Sequence, residues 1–126
     1  SHVYRVSDIS AIMANCVGFE KSVIRDFKVA CMMHDVGKIG IRDSILLKPG
    51  ILTPEEFEAI KKHTEIGGKL FKTSNHQLLK MAESISHYHH ERWNGEGYPD
   101  KLKGNQIPIF ARIVSIVDVF DALSHD

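Results

Sequence analysis

Six residues of this chain are of kinds that bind metal and stand at intervals that assign them to separate elements: His34-Asp35, His63, His89-His90 and Asp118. His2 adds another near the start. Imidazole and carboxylate donors without thiolate suit borderline metals such as iron, manganese, zinc or nickel. A lone histidine on an apolar face is more often a satisfied core residue. A set spread over several elements is harder to dismiss, because unpaired buried polar groups are costly. Five or six donors also exceed the four of a tetrahedral zinc site. The surplus argues for two metals, with Asp35 a natural bridge because a carboxylate has two oxygens. Neighbouring helical residues point about 100° apart, so His34 with Asp35, and His89 with His90, could each straddle a dinuclear centre.

The elements that must position these residues read as all-α. Hydrophobic residues make up 43% and charged residues 25% of 126, the mix of one soluble globular domain with a single core. Val6, Ile9, Ile12 and Met13 stand at helical spacing between His2 and Cys16, before a Gly18 stop. A second helix is expected from Lys21 to Val36, with Val23, Ile24, Phe27, Ala30 and Cys31 inward. Gly37 would be its C-terminal stop, leaving His34 and Asp35 in the last turn. Lys48-Pro49-Gly50 is a turn, and Thr53-Pro54-Glu55-Glu56 reads as a capping box with proline at the first helical position. That helix carries Phe57, Ile60, Thr64, Gly67 and Phe71 on one stripe. Another covers His76 to Glu91, with Leu78, Leu79, Ala82 and Ile85. Trp93 to Pro99 is too rich in glycine for a helix and reads as a loop. A last helix begins near Pro108 and carries Ile109, Ile113, Ile116, Val117, Phe120 and Leu123.

Composition also excludes. The formal net charge is zero, which argues against a DNA-clamping surface. A small anionic substrate stays open, because a metal cluster is itself concentrated positive charge. No apolar run approaches the roughly 20 residues that span a bilayer, and no signal peptide is visible, so a cytoplasmic location without membrane contact is expected. Cys16 and Cys31 have no disulfide or CxxC spacing and read as two buried reduced thiols.

The segments HDVGKIGIRDSILLKPGILT, KKHTEIGG, HYHHERWNGEGYP and IPIFARIVSIVDVFDAL closely resemble HD-GYP domains, a branch of the HD superfamily associated with hydrolysis of cyclic di-GMP. The resemblance runs in order over nearly all of residues 1–126. It implies an HD-domain helical bundle around a multinuclear site of two or three divalent ions, iron or manganese ahead of zinc or nickel. It assigns metal binding to His34, Asp35, His63, His89, His90 and Asp118, and to His2 where such sites are trinuclear. Lys38 matches a lysine on the scissile phosphate. Tyr98, within Gly97-Tyr98-Pro99, matches a loop implicated in substrate contact and in docking diguanylate cyclase (GGDEF) domains. A homodimer is compatible with the resemblance.

Three positions depart from the family pattern: Arg42 where proline is usual, Asn94 where aspartate is frequent, and Lys101 where glycine is common. None removes a metal-binding residue, so they bear on loop shape and selectivity. The chain stops at Asp126, where the family usually continues into an Arg-Pro-Tyr-Lys/Arg motif that grips the substrate. It starts at Ser1, after the position of a glutamate that completes some trinuclear sites. A domain core lacking its C-terminal part is therefore expected.

The implied chemistry is hydrolysis of a cyclic dinucleotide, with two metals about 3.5–4 Å apart activating a water in line with phosphorus. Asp35 and Lys38 would be catalytic, and Lys38, Gly97, Tyr98, Pro99 and Arg112 would meet the substrate. For Arg112 a salt bridge is the plainer role. Asp121, three residues after Asp118, could support a metal-binding histidine. His76, His87 and His125 match no family position and read as solvent-facing or capping, although His87 shares a helix face with His90. Trp93 reads as a packing anchor. Two other readings compete: a cyclic-dinucleotide sensor or docking module without turnover, and an HD enzyme acting on another phosphate ester such as cyclic GMP–AMP.

Overall fold

Apolar residues at helical spacing fold α1 (His2–Val17), and the chain leaves it through Gly18 at φ 106°, a conformation that side chains disfavour. The protein, described over residues 1–72 and 75–124 of a computed structural model, continues as α2 (Lys21–Cys31), α3 (Asp43–Leu46), α4 (Pro54–Lys61), α5 (His63–Phe71), α6 (Gln77–Tyr88) and α7 (Ile109–Ser124). Short 3-10 turns occupy Val36–Gly40 and Gly104–Gln106. Among the described residues there is no strand, as the all-α reading requires. His125 lies outside the described residues.

Val6 and Ala14 of α1, Phe27, Ala30 and Cys31 of α2, Met81, Ala82 and Ile85 of α6, and Ile113, Val114 and Val117 of α7 form the core. Burying each large apolar side chain contributes about 1.5–3 kcal/mol. α6 touches α2, α5 and α7, so the central element is the one whose end delivers His89 and His90. Among the described residues no helix is long and apolar enough to cross a membrane.

The expected boundaries move where packing overrides propensity. α2 ends at Cys31, five residues before Val36, so His34 and Asp35 stand in a turn instead of on a helix face. Gly37 is not a left-handed cap: a Cβ there would lie 1.8 Å from the His63 carbonyl oxygen, so the glycine lets the 3-10 turn press against α5. The Thr53 capping box is present, with Glu56 N–H donating to Thr53 Oγ1 at 3.1 Å and Thr53 N–H to Glu56 Oε1 at 2.8 Å. The helix it opens breaks at Lys62, where His63 Nδ1 and Thr64 Oγ1 donate to the Ile60 and Lys61 carbonyls at the end of α4. Ile12, Ile116, Phe120 and Leu123, named in the apolar periodicity of their helices, face outward. Cys16 is exposed while Cys31 is buried, and both are free thiols.

Candidate metal centre

α2, α4 and α6 end close to one point, and a histidine stands just beyond each: His34, His63 and His89. Each repeats one local device. Nδ1 of His34 lies 2.7 Å from the Cys31 carbonyl, that of His63 2.8 Å from Ile60, and that of His89 2.9 Å from Ile85. A carbonyl oxygen only accepts, so Nδ1 carries a proton in each ring and Nε2 is the atom turned toward the cluster. The three Nε2 atoms converge on Asp35: His34 at 3.1 Å from Oδ2, His63 and His89 each at 3.3 Å from Oδ1. All three, and Asp35 Oδ1, are buried without an aligned hydrogen bond.

Buried polar atoms of this kind are normally paired, and these four are not. A bound cation would pair with them. Burial pulls the His34 imidazolium down, but the carboxylates of Asp118 and Asp35 outweigh it and lift its pKa to about 10. Burial, joined by the neighbouring histidines, lowers His89, and lowers His90 to about 2. Burial pushes Asp35 up, yet His34, His63 and His89 hold its carboxyl far below the usual range. His34 thus keeps a second proton, while His89 and His90 present unprotonated nitrogens. Borderline divalent metals fit that donor set.

The donors fall into two groups. Atoms of Asp35, His63, His89 and His90 lie within 4.8 Å of one another, as do those of His2, His34 and Asp118. Asp35, with one oxygen toward His34 and the other toward His63 and His89, stands between them. In the second group Asp118 Oδ1 is 2.7 Å from His2 Nε2 and 3.6 Å from His34 Nε2. Burial raises the Asp118 pKa and the two histidines His34 and His89 lower it more, to about 2. Asp121 meets His2 Nδ1 at 2.5 Å and takes Arg5 Nε at 2.8 Å, the supporting contact its spacing suggested.

Lys38 stands on the rim, 42% exposed at its side chain, with Nζ 3.3 Å from Asp35 Oδ2. Gly97 is buried, and Tyr98 stacks on His90 with centroids 4.8 Å apart and planes 13° apart. Burial raises the Tyr98 phenol to about 12, so it stays neutral. Arg112 is not brought to the cluster. Its guanidinium lies over Trp93 at 5.7 Å and donates to Asn105 Oδ1 at 3.3 Å, and among the described residues it meets no carboxylate. His76 caps α6, accepting from Leu78 N–H, and His87 pairs with Asp100 at 3.0 Å. A groove of about 400 Å³ between α5 and α6 is lined by none of the cluster residues. Sequence reasoning missed Glu91 and Arg5. Arg5 had a signal, one helical turn after His2. Glu91 had none, because a charge beside a glycine-rich loop normally faces water.

A helical bundle that gathers histidines and aspartates from separate elements onto one buried point defines the histidine–aspartate class of metal-binding domains. The chain belongs to the HD domain family, whose sequence profile matches residues 1–126. The resemblance to HD-GYP domains is borne out by relatives and by fold. The chain is 48% identical over 122 residues to a cyclic di-GMP phosphodiesterase of Thermotoga maritima, covering 97% of this chain and 33% of that protein. It is 44% identical over 119 residues to the cyclic di-GMP phosphodiesterase response regulator RpfG of Xanthomonas campestris pv. campestris, covering 94% and 32%. A 3'3'-cGAMP-specific phosphodiesterase of Vibrio cholerae is 44% identical over 123 residues, covering 98% and 24%. Among solved structures, Bd1817, an HDG"Y"P protein from Bdellovibrio bacteriovorus, shares the fold, with a TM-score of 0.77 at 23% identity over 98% of this chain and 40% of that one. The chain therefore spans a third or less of the length of these curated relatives.

Proposed function

We propose that this chain is the catalytic core of a metal-dependent phosphodiesterase that hydrolyses cyclic di-GMP to linear pGpG, to GMP, or to both. The observation that carries the reading is the convergence on Asp35 of three buried Nε2 atoms without an aligned hydrogen bond, each ring oriented by a carbonyl at Nδ1. The relatives named as cyclic di-GMP phosphodiesterases support the substrate.

His63, His89, His90 and Asp35 would hold one metal, and His2, His34 and Asp118 a second beside the shared Asp35; iron or manganese is the first expectation from the resemblance to HD-GYP domains, within a donor set that also suits zinc or nickel. Bound there, the metals supply positive charge against the phosphate and acidify water. The protein's own part is orientation. Carbonyls at the helix ends turn Nε2 of three imidazoles toward Asp35, and Asp121, held by Arg5, fixes the ring of His2. Lys38, half exposed beside Asp35, is placed to hold a non-bridging phosphate oxygen as charge develops on it. Tyr98, a neutral phenol, would steady the nucleotide side of the site and would share its loop, Gly97 and Pro99 included, with a docking diguanylate cyclase domain. Such a protein would act in the cytoplasm.

Replacing both His34 and Asp35 with alanine is expected to abolish metal content and to lower turnover of cyclic di-GMP by at least about a thousandfold. Retained turnover would sink the assignment. The 44% identity to a cGAMP-specific enzyme favours one second reading, a mixed cyclic GMP–AMP substrate. Comparing kcat/KM for the two cyclic dinucleotides decides between them.

A further inference from the structure

Glu91 has only 1% of its surface exposed, yet among the described residues it makes no ion pair. Its charge is held by backbone instead. Oε2 accepts the Asp100 N–H and Oε1 the Leu102 N–H, each at 2.7 Å. Charge-assisted bonds of this kind are among the stronger ones available to a buried carboxylate. On the other side of the same loop the Tyr98 N–H donates to the His90 carbonyl at 3.1 Å. Gly97 passes so close that a Cβ there would lie 2.3 Å from the His90 carbonyl oxygen. The loop is thus fastened on both sides of Tyr98, and the fastening lays the phenol ring flat on the His90 imidazole.

His90 needs that support more than its neighbours do. His34, His63 and His89 are each oriented by a carbonyl at Nδ1. Among the described residues no hydrogen bond orients the His90 ring; its contacts are the rings of His63, His89 and Tyr98. We propose that Glu91 is a positioning residue that sets the orientation of His90, acting through the Asp100 and Leu102 amides and the stacked Tyr98 ring. What this does for metal binding rests on the reading of the cluster given above; the positioning itself does not.

The test is therefore made first on metal-free protein. In Glu91→Gln the side chain offers an acceptor to one amide and an NH2 donor to the other, so one fastening fails. The His90 ring protons should lose the upfield displacement that the Tyr98 ring current gives them in the NMR spectrum, and the Asp100 and Leu102 amides should lose exchange protection. Tyr98→Leu should move the His90 signals equally, and the double variant no further. In Mn2+ titrations the group containing His90 should bind about 10–100-fold more weakly in Glu91→Gln, again without addition in the double variant. Unchanged His90 signals, additive effects on them, or a lower melting temperature with the His90 signals in place would overturn the proposal. If Glu91→Gln does not fold, Glu91→Asp, which keeps the charge but reaches one amide fewer, gives the same readouts. Ring-current and amide results as expected in a protein that turns over no cyclic dinucleotide would support the positioning role and refute the phosphodiesterase reading.

Discussion

Lys101 stands at φ 54°, the left-handed region, where a Cβ costs roughly 1–2 kcal/mol. The family's common glycine at this position has a physical reason, and this chain forgoes it. Lys101→Gly should stabilise the fold by about 0.5–1 kcal/mol once the extra freedom of glycine in the unfolded chain is subtracted, a rise in Tm of about 2–5 °C by thermal unfolding. An unchanged or lower Tm would contradict the strain. Arg42 is the gentler departure: its φ of −58°, after Ile41 at ψ 136°, is backbone that the usual proline would also adopt. Asn94 keeps the loop turn, its Oδ1 accepting the Glu96 N–H at 3.0 Å while its amide meets Glu96 Oε2, a contact aspartate would turn repulsive. Protonation belongs to the same scale. The His34 pKa, about 10 against an ordinary 6.5, is raised on folding, so its contribution to metal-free stability is full below 6.5 and lost as pH rises through 10. Asp118, about 2 against 3.8, contributes above 3.8 and loses it as pH falls toward 2. A metal at His34 must displace that proton. Mn2+ binding near neutral pH should release about one proton per His34 and weaken as pH falls. Calorimetry in two buffers of different ionisation enthalpy measures the release, and pH-independent binding would contradict it.

At the scale of elements, the cluster depends on how the Val36–Gly40 turn sits on α5. Gly37 is the contact: any side chain there meets the His63 carbonyl and the Gly67 amide nitrogen, so the turn must back away. Gly37→Ala should therefore cost about 2–4 kcal/mol and move Asp35 away from His63 and His89. Denaturant unfolding reads the first effect and loss of metal affinity the second; a variant as stable and as tightly metal-binding as the parent would show that the approach is not needed. The helices themselves were largely legible. Gly18, the Thr53 capping box and the periodicity of α1, α6 and α7 are local signals, and each falls within a few residues of the observed element. The end of α2 was not legible, because nothing within residues 32–36 stops a helix. The stop comes from α5, a partner remote in sequence. The same holds for the break at Lys62, which depends on side chains taking the α4 carbonyls.

For the whole molecule, the residues of the candidate site could be picked out from type and interval, but their mounting could not. The sequence suggested helix faces aiming side chains inward; His34, His63 and His89 instead stand at helix ends, where carbonyls set the orientation of their rings. Arg112 shows the same limit: nothing in its sequence position signals that the fold sets it over Trp93. Glu91 was invisible because its partners are backbone amides, which carry no sequence signature. The bundle as a whole gathers a cluster of metal-type donors at its helix ends, and divalent metal should stabilise it by mass action, raising Tm with metal concentration. The most direct measurement is elemental analysis of anaerobically purified protein, with cyclic di-GMP turnover followed on the same sample. The account predicts two or more divalent ions per chain, together with hydrolysis. Protein that holds no metal even after reconstitution, with its histidine cluster folded, would contradict it.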